Sequence, residues 1–152
     1  DSRFERVNVV TTREMYDVVM GLLPRADVVI KAAAPCDFRA AHQAADKIKS
    51  DGALTLELEK TEDIAAAAGK VKGNKKLVVF AAETRDLISS AKKKLVSKNA
   101  DMVVANDVTA EGAGFGTDTN VATLVTSDGC EPLPMMSKRE LADVILDRIS
   151  VI

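Results

Sequence analysis

Residues 76–107 read KLVVFAAETRDLISSAKKKLVSKNADMVVAND, and this stretch decides the fold. Its opening run, 76–81, is continuously apolar, as expected of a strand with both faces covered. Residues 85–99 place Leu87, Ile88, Ala91 and Leu95 at helical spacing, with a lysine-rich opposite side. A second apolar strand follows at 101–105 and ends at Asn106-Asp107. Strand, helix, strand in this order is the unit from which parallel sheets are built.

The pattern extends in both directions. Upstream, 27–34 (DVVIKAAA) reads as a buried strand running into a loop. Before it, Thr11 or Thr12 is placed to cap a helix over 13–23, with Glu14 in its first turn and Pro24 at its stop. A β-branched run at 7–10 reads as a short strand. Between the first strand and the 76–107 unit, 53–59 alternates, with Leu54, Leu56 and Leu58 on one face. Thr61 then reads as the cap of an Ala-rich helix through Ala68, ended by Gly69. Downstream, runs at 121–126 and 131–136 flank Asp128-Gly129, a hairpin signal. Ser137 caps a last helix, Lys138–Ile149, and Glu140 completes a capping box. The expectation is an α/β fold: a doubly wound, Rossmann-like, mostly parallel sheet with an antiparallel edge hairpin, residues 1–152 forming one nucleotide-binding domain.

Composition narrows the functions. Aromatic residues make up 3% of the chain and Trp is absent, against a base-stacking nucleic-acid module. The net charge of −2 gives no field for nucleic acid or an anionic membrane. No apolar run approaches the roughly 20 residues of a membrane span. Cys36 and Cys130 lack metal or CxxC spacing, which reads as reduced thiols in a cytoplasmic protein.

In open α/β sheets ligands bind beyond the carboxyl ends of the strands. Four stretches qualify: 32–47, which carries Asp37 and Lys47; the helix start 61–65; FAAET at 80–84; and ANDVT at 105–109 with the Gly-rich 112–120. Each has an ordinary structural reading beside the functional one. An Asp after a strand is commonly a turn or cap residue, and lysines such as Lys94 and Lys98 at i,i+4 commonly form a solvated face. Phe80 reads equally as core, His42 as surface and Cys36 as packing. Doubly wound domains usually open with a strand, a Gly-rich turn and a helix, and no such unit precedes 7–10 here, so either the fold is unusual or its first βα unit lies outside this chain.

Several segments nevertheless occur together in one order: AAAPCDFRAAHQAADKIKS, LTLELEKTEDI, VVFAAET, AKKKLVSKNAD, VANDV and GFGTDTN. From about Arg6 to Ile149 the chain resembles the phosphopantothenoylcysteine synthetase domain, the carboxy-terminal half of a bifunctional coenzyme A biosynthesis flavoprotein. The resemblance implies a ligase joining 4'-phosphopantothenate to cysteine with CTP, through an acyl-cytidylate. It implies CTP contacts at Lys31, Ala32, Ala33, Asp37, Lys47, Glu62, Asp63, Ile64, Ala65, Phe80, Lys94 and Lys98. Lys47, which opens a KIKS motif, is the implied catalytic residue. Mg2+ would share the triphosphate charge, its ligands unspecified. FMN is expected only on the flavin-dependent decarboxylase domain to which the family is often fused.

The resemblance departs from the family at the amino-terminal Gly-rich turn and the Asn-x-Ser-Ser-Gly segment, which have no counterpart, and at Pro35-Cys36, where small residues are usual. A non-catalytic CTP-binding fragment is therefore one alternative. A nicotinamide-dependent dehydrogenase is another, but Met20 stands where its Tyr-x-x-x-Lys pair would need the lysine after Tyr16. The family is dimeric through an arm in this region, so Leu54, Leu56 and Leu58 are expected at a homodimer interface rather than on the chain's own helices.

Overall fold

A capping box starts the first helix. The Thr11 hydroxyl accepts the Glu14 N–H at 3.1 Å, while the Glu14 carboxylate accepts the Val10 and Thr11 N–H groups at 2.7 and 3.2 Å. In the computed structural model, which describes residues 4–42, 44–49, 52–83, 86–110, 112–113 and 116–152, this box opens α1 (Thr12–Leu22). It also explains why the strand expected at 7–10 is not one. The Val10 N–H is committed to the cap, and 7–10 enter no strand ladder.

A short 3-10 turn, Leu23–Arg25, leads from α1 to β1 (Val28–Lys31). There follow β2 (Phe38–Ala40), β3 (Leu58–Lys60), α2 (Ile64–Val71), β4 (Lys76–Glu83), α3 (Leu87–Ser97) and β5 (Met102–Asp107). The chain closes with β6 (Thr119–Asn120), β7 (Ala122–Val125), β8 (Cys130–Pro132), β9 (Met136–Ser137) and α4 (Lys138–Ile149). The main sheet has the order β1-β4-β5-β7-β8. β1, β4 and β5 run parallel, and the β7–β8 hairpin joins antiparallel to β5, turning at Asp128-Gly129 as the sequence predicts. Two small antiparallel ribbons, β2–β3 and β6–β9, stand apart from it.

The expected two-sided burial holds for β4 and β5. Leu77, Val79 and Ala81 pack with Ala65 of α2 and Ala91 of α3 on one face. On the other, Val78 and Phe80 join Met102, Val104 and the α4 residues Leu141 and Ile145. β1 differs from the buried strand the sequence suggests. Val28 and Ile30 remain exposed, because α4 packs on the β5–β7 side of its face and β1 is the sheet's edge.

Three further expectations change. The strand at 53–59 shrinks to Leu58–Lys60, paired with β2 in the register Ala40↔Leu58. Thr61 does not cap α2; its hydroxyl donates to the Cys36 carbonyl at 2.6 Å, and Asp63 caps instead, accepting the Ala66 N–H at 2.9 Å. Gly69 does not end α2, which continues to Val71. A Cβ at Gly69 would lie 1.8 Å from the Lys98 carbonyl oxygen, and Asn99 donates its amide to the Gly69 carbonyl at 2.8 Å. Glycine there lets α2 meet the end of α3. The last helix is as expected: Ser137 and Glu140 form a reciprocal box with Ser137 Oγ accepting at 3.2 Å and the Glu140 carboxylate at 2.8 Å.

Candidate functional site

Parallel pairing brings the carboxyl ends of β1, β4 and β5 to one edge, and two adjoining cavities open there. The larger, about 450 Å³, is lined by the Lys31–Pro35 loop, Asp37, Phe80, Lys94 and residues further along the sheet edge. The smaller, about 280 Å³, lies against the start of α2 (Glu62, Asp63, Ile64, Ala65) and includes Lys98. Lys31, Pro35, Asp37, Phe80 and Lys94 wall both.

Local structure sets each of these side chains. Lys31 is the last residue of β1, half-buried where the strand leaves the sheet. Lys94 lies in the last turn of α3 and Lys98 is its C-cap residue, one turn on; the helix crosses from β4 to β5 over the α2 side. The first turn of α2 has N–H groups without intrahelical partners, and its positive dipole end faces the smaller cavity.

The electrostatics favour an anion. Burial pushes the Lys31 ammonium below its ordinary lysine range; Asp63 and Asp37 oppose this, whereas Lys94 and Lys98 add to it. An anion placed beside Lys31 would relieve that strain on its charged form. Asp63 forms an ion pair with Lys98. Burial works against its carboxylate, but Lys98, the Ala66 N–H and Lys31 outweigh it and hold Asp63 below the usual carboxylate range. Glu62 is also held low, by its own backbone N–H and by Arg13 and Arg39, whose guanidiniums lie 3.3 and 3.8 Å from its carboxylate. Those arginines tie the cavity's rim to α1 and to the β2–β3 ribbon.

Eleven of the twelve nucleotide positions implied by the resemblance therefore line one cleft: Lys31, Ala32, Ala33, Asp37, Glu62, Asp63, Ile64, Ala65, Phe80, Lys94 and Lys98. Lys47 is the exception. It is exposed in the stretch between β2 and β3 and lines neither cavity. Thr84 of FAAET and Gly114 and Phe115 of the Gly-rich segment lie outside the described residues. The structure adds Asn106, Val108, Asn120 and Lys138 to the larger cavity. The first three fall in stretches the strand-end rule had marked. Lys138, on a helix of the opposite layer, carried no local signal. No group of three or more His, Cys, Asp or Glu among the described residues is arranged to hold a metal ion, and no helix among them is long and apolar enough to cross a membrane.

Residues 1–152 match the family described as the DNA/pantothenate metabolism flavoprotein C-terminal domain. The chain is 43% identical over 150 residues to the coenzyme A biosynthesis bifunctional protein CoaBC of Bacillus subtilis (strain 168), covering 97% of this chain and 37% of that protein. It is 38% identical over 151 residues to the protein of the same name from Vibrio vulnificus (strain CMCP6), covering 97% and 38% respectively. The chain thus spans little more than a third of these relatives. Among solved structures it is similar to the C-terminal domain of a coenzyme A biosynthesis bifunctional protein CoaBC, with a TM-score of 0.76 and 35% identity over 94% of this chain and 63% of that one.

Proposed function

The chain belongs to the DNA/pantothenate metabolism flavoprotein C-terminal domain family, and from that premise we propose that it carries the nucleotide site of a CTP-dependent phosphopantothenate–cysteine ligase in coenzyme A biosynthesis. The observation that carries this reading is the cleft that gathers Lys31, Lys94 and Lys98 with the start of α2 at the sheet's carboxyl edge. A triphosphate needs several cations, and needs them most as negative charge builds on the α-phosphate and on departing pyrophosphate. Lysines supply mobile point charges, and helix N–H groups supply fixed donors.

In the proposed reaction a phosphopantothenate carboxylate oxygen bonds to the α-phosphorus of CTP as the bond to pyrophosphate breaks. The amine nitrogen of cysteine then bonds to the acyl carbon, the acyl–phosphate bond breaks, CMP leaves and a proton is released. Asp37 and Asp63 offer the smaller cavity two hard carboxylate donors. That suits a magnesium ion arriving on the phosphates, since Mg2+ is typically held by one or two carboxylates plus substrate oxygens. It would neutralise phosphate charge.

The partners in this reading are 4'-phosphopantothenate, cysteine, CTP and a second copy of the chain. A flavin-dependent decarboxylase domain carrying FMN would lie elsewhere in a longer cytoplasmic polypeptide. The proposed two-fold partner covers Leu54, Leu56 and Leu58, which the chain leaves exposed.

Calorimetric titration with CTP and with NAD tests the nucleotide. CTP is expected to bind in preference to NAD. Lys94→Ala and Lys98→Ala should each weaken CTP by about tenfold or more, the range for hydrogen bonds to charged groups. Lys47→Ala, outside both cavities, should leave CTP affinity unchanged. Equal affinity in wild type and both α3 variants would remove the phosphate role.

A further inference from the structure

The smaller cavity carries an ion pair in its wall. Asp63 commits both of its carboxylate oxygens within the fold. Oδ1 accepts the Ala66 N–H at 2.9 Å as the cap of α2, and Oδ2 pairs with the Lys98 ammonium. Lys98 therefore reaches an incoming anion only by leaving a carboxylate 35 residues earlier in the chain. The Lys98 side chain is 24% exposed and that of Asp63 50%, and both residues line the cavity, so a ligand can reach the pair.

The adjacent Glu62 is balanced differently. Arg13 and Arg39 hold it from α1 and the β2–β3 ribbon, and neither arginine lines the two cavities. Asp63 is balanced instead by a lysine of the cleft itself, with Lys31 adding to the attraction. Asp63 thus takes the place on Lys98 that a phosphate oxygen of the proposed nucleotide would take.

What becomes of the displaced carboxylate decides which anion succeeds. A metal-free polyphosphate that captures Lys98 leaves Asp63 without its nearest countercharge and beside a dense negative charge, which is costly. A polyphosphate carrying a divalent cation brings the countercharge with it, because the released Oδ2 is a hard oxygen donor for such a cation. Oδ1 stays on the Ala66 N–H, so α2 keeps its cap through the exchange.

We propose that Asp63 is a specificity-determining residue of the cleft: it holds Lys98 against metal-free phosphate and yields it to phosphate that carries magnesium. The inference rests on the nucleotide reading above and adds to it a gate made of one ion pair. The same carboxylate is a rival of the first ligand and a partner of the second.

Calorimetric titration of wild type and Asp63→Asn with CTP and with inorganic tripolyphosphate, each in magnesium and in EDTA, tests the gate. Asparagine caps a helix about as well as aspartate, so the start of α2 survives while the charge is lost. The variant should bind both metal-free ligands about tenfold more tightly than wild type, and both magnesium complexes about tenfold more weakly. In a Lys98→Ala background the metal-free gain should vanish, since no ammonium remains to be released. Simple removal of a repelling charge predicts that the gain persists there. A persistent gain, or a change of the same sign in magnesium and in EDTA, overturns the proposal. If Asp63→Asn fails to fold, NMR titration of the wild-type Asp63 carboxyl carbon decides. Metal-free tripolyphosphate should raise its midpoint and the magnesium complex should leave it low; equal midpoints overturn the gate. If tripolyphosphate shows the reversal and CTP does not bind, the ligase reading falls and the gate stands. If CTP binds without the reversal, the gate falls and the reading stands. Wild type that binds neither ligand in either condition overturns both.

Discussion

The β4–β5 pair and the stretch from β2 into β3 are both rich in aliphatic residues, and the fold treats them oppositely. Leu77, Val78, Val79, Met102, Val103 and Val104 are at most 2% exposed, whereas Leu54, Leu56 and Leu58 are 56–62% exposed. The difference lies in what surrounds each segment. β4 and β5 pair along their length and are covered by α2 and α3 on one face and α4 on the other. The 41–57 stretch is closed at its ends by the Ala41 N–H donating to the Glu57 carbonyl at 2.9 Å, and no described helix packs over its leucines. Apolar alternation marks a surface to be covered; it does not say by what.

The sharpest way to break this contrast is to truncate the covered side. Leu77→Ala should cost about 2–5 kcal/mol in chemical denaturation, the range for a buried leucine whose cavity only partly collapses. A loss below about 0.5 kcal/mol, as for a surface change, would mean that β4 is not the core element described.

Asp63 sits between the two regions, at the cap of α2 and the edge of the cleft. Asp63→Ala should cost about 0.5–2 kcal/mol near neutral pH, the usual loss for an N-cap. The pH dependence has a definite sign. Because Asp63 is held below its ordinary carboxylate value in the fold, its contribution is complete above that ordinary value. It is lost as pH falls through the lower folded value. The gap in melting temperature between wild type and Asp63→Ala should therefore narrow on acidification. A gap that widens instead would show that the Lys98 pair does not stabilise the charged form.

The smallest effect on folding should come from the exposed side. Leu56→Asp is expected to change stability by no more than about 0.5 kcal/mol while converting a dimer to folded monomer in light scattering. A wild-type monomer at micromolar concentration would dispose of the two-fold partner proposed for these leucines. Unfolding by this substitution would erase the contrast itself, because it would make Leu56 a core residue.

Local chemistry accounts for how much was legible. The cap at Ser137 is spelled within four residues and forms as read, and of the two threonines offered for α1 it is Thr11 that caps. The apolar runs at 76–81 and 101–105 needed only their own composition to declare two covered faces. The strand expected at 7–10 failed locally, to the Glu14 cap, but the misreadings around α2 depended on partners distant in the chain. Thr61 has the right chemistry to cap α2, but the Cys36 carbonyl, 25 residues earlier, takes its hydroxyl. Gly69 resembles a helix stop, but it is retained inside α2 because Lys98 approaches there.

The same division runs through the site. Strand ends and helix starts are local features, so the sequence by itself determined the α/β order, the sheet edge on which a ligand would sit and the lysines of α3. It placed Lys47 with them by motif order, and the tertiary structure leaves Lys47 exposed and outside both cavities. Only the tertiary structure decided that Asn106, Asn120 and Lys138 line one cavity and that Leu54, Leu56 and Leu58 have no cover among the described residues. Hydrogen bonding along a helix or turn is settled within a few residues. Which side chains face one another across a cavity depends on how whole layers pack.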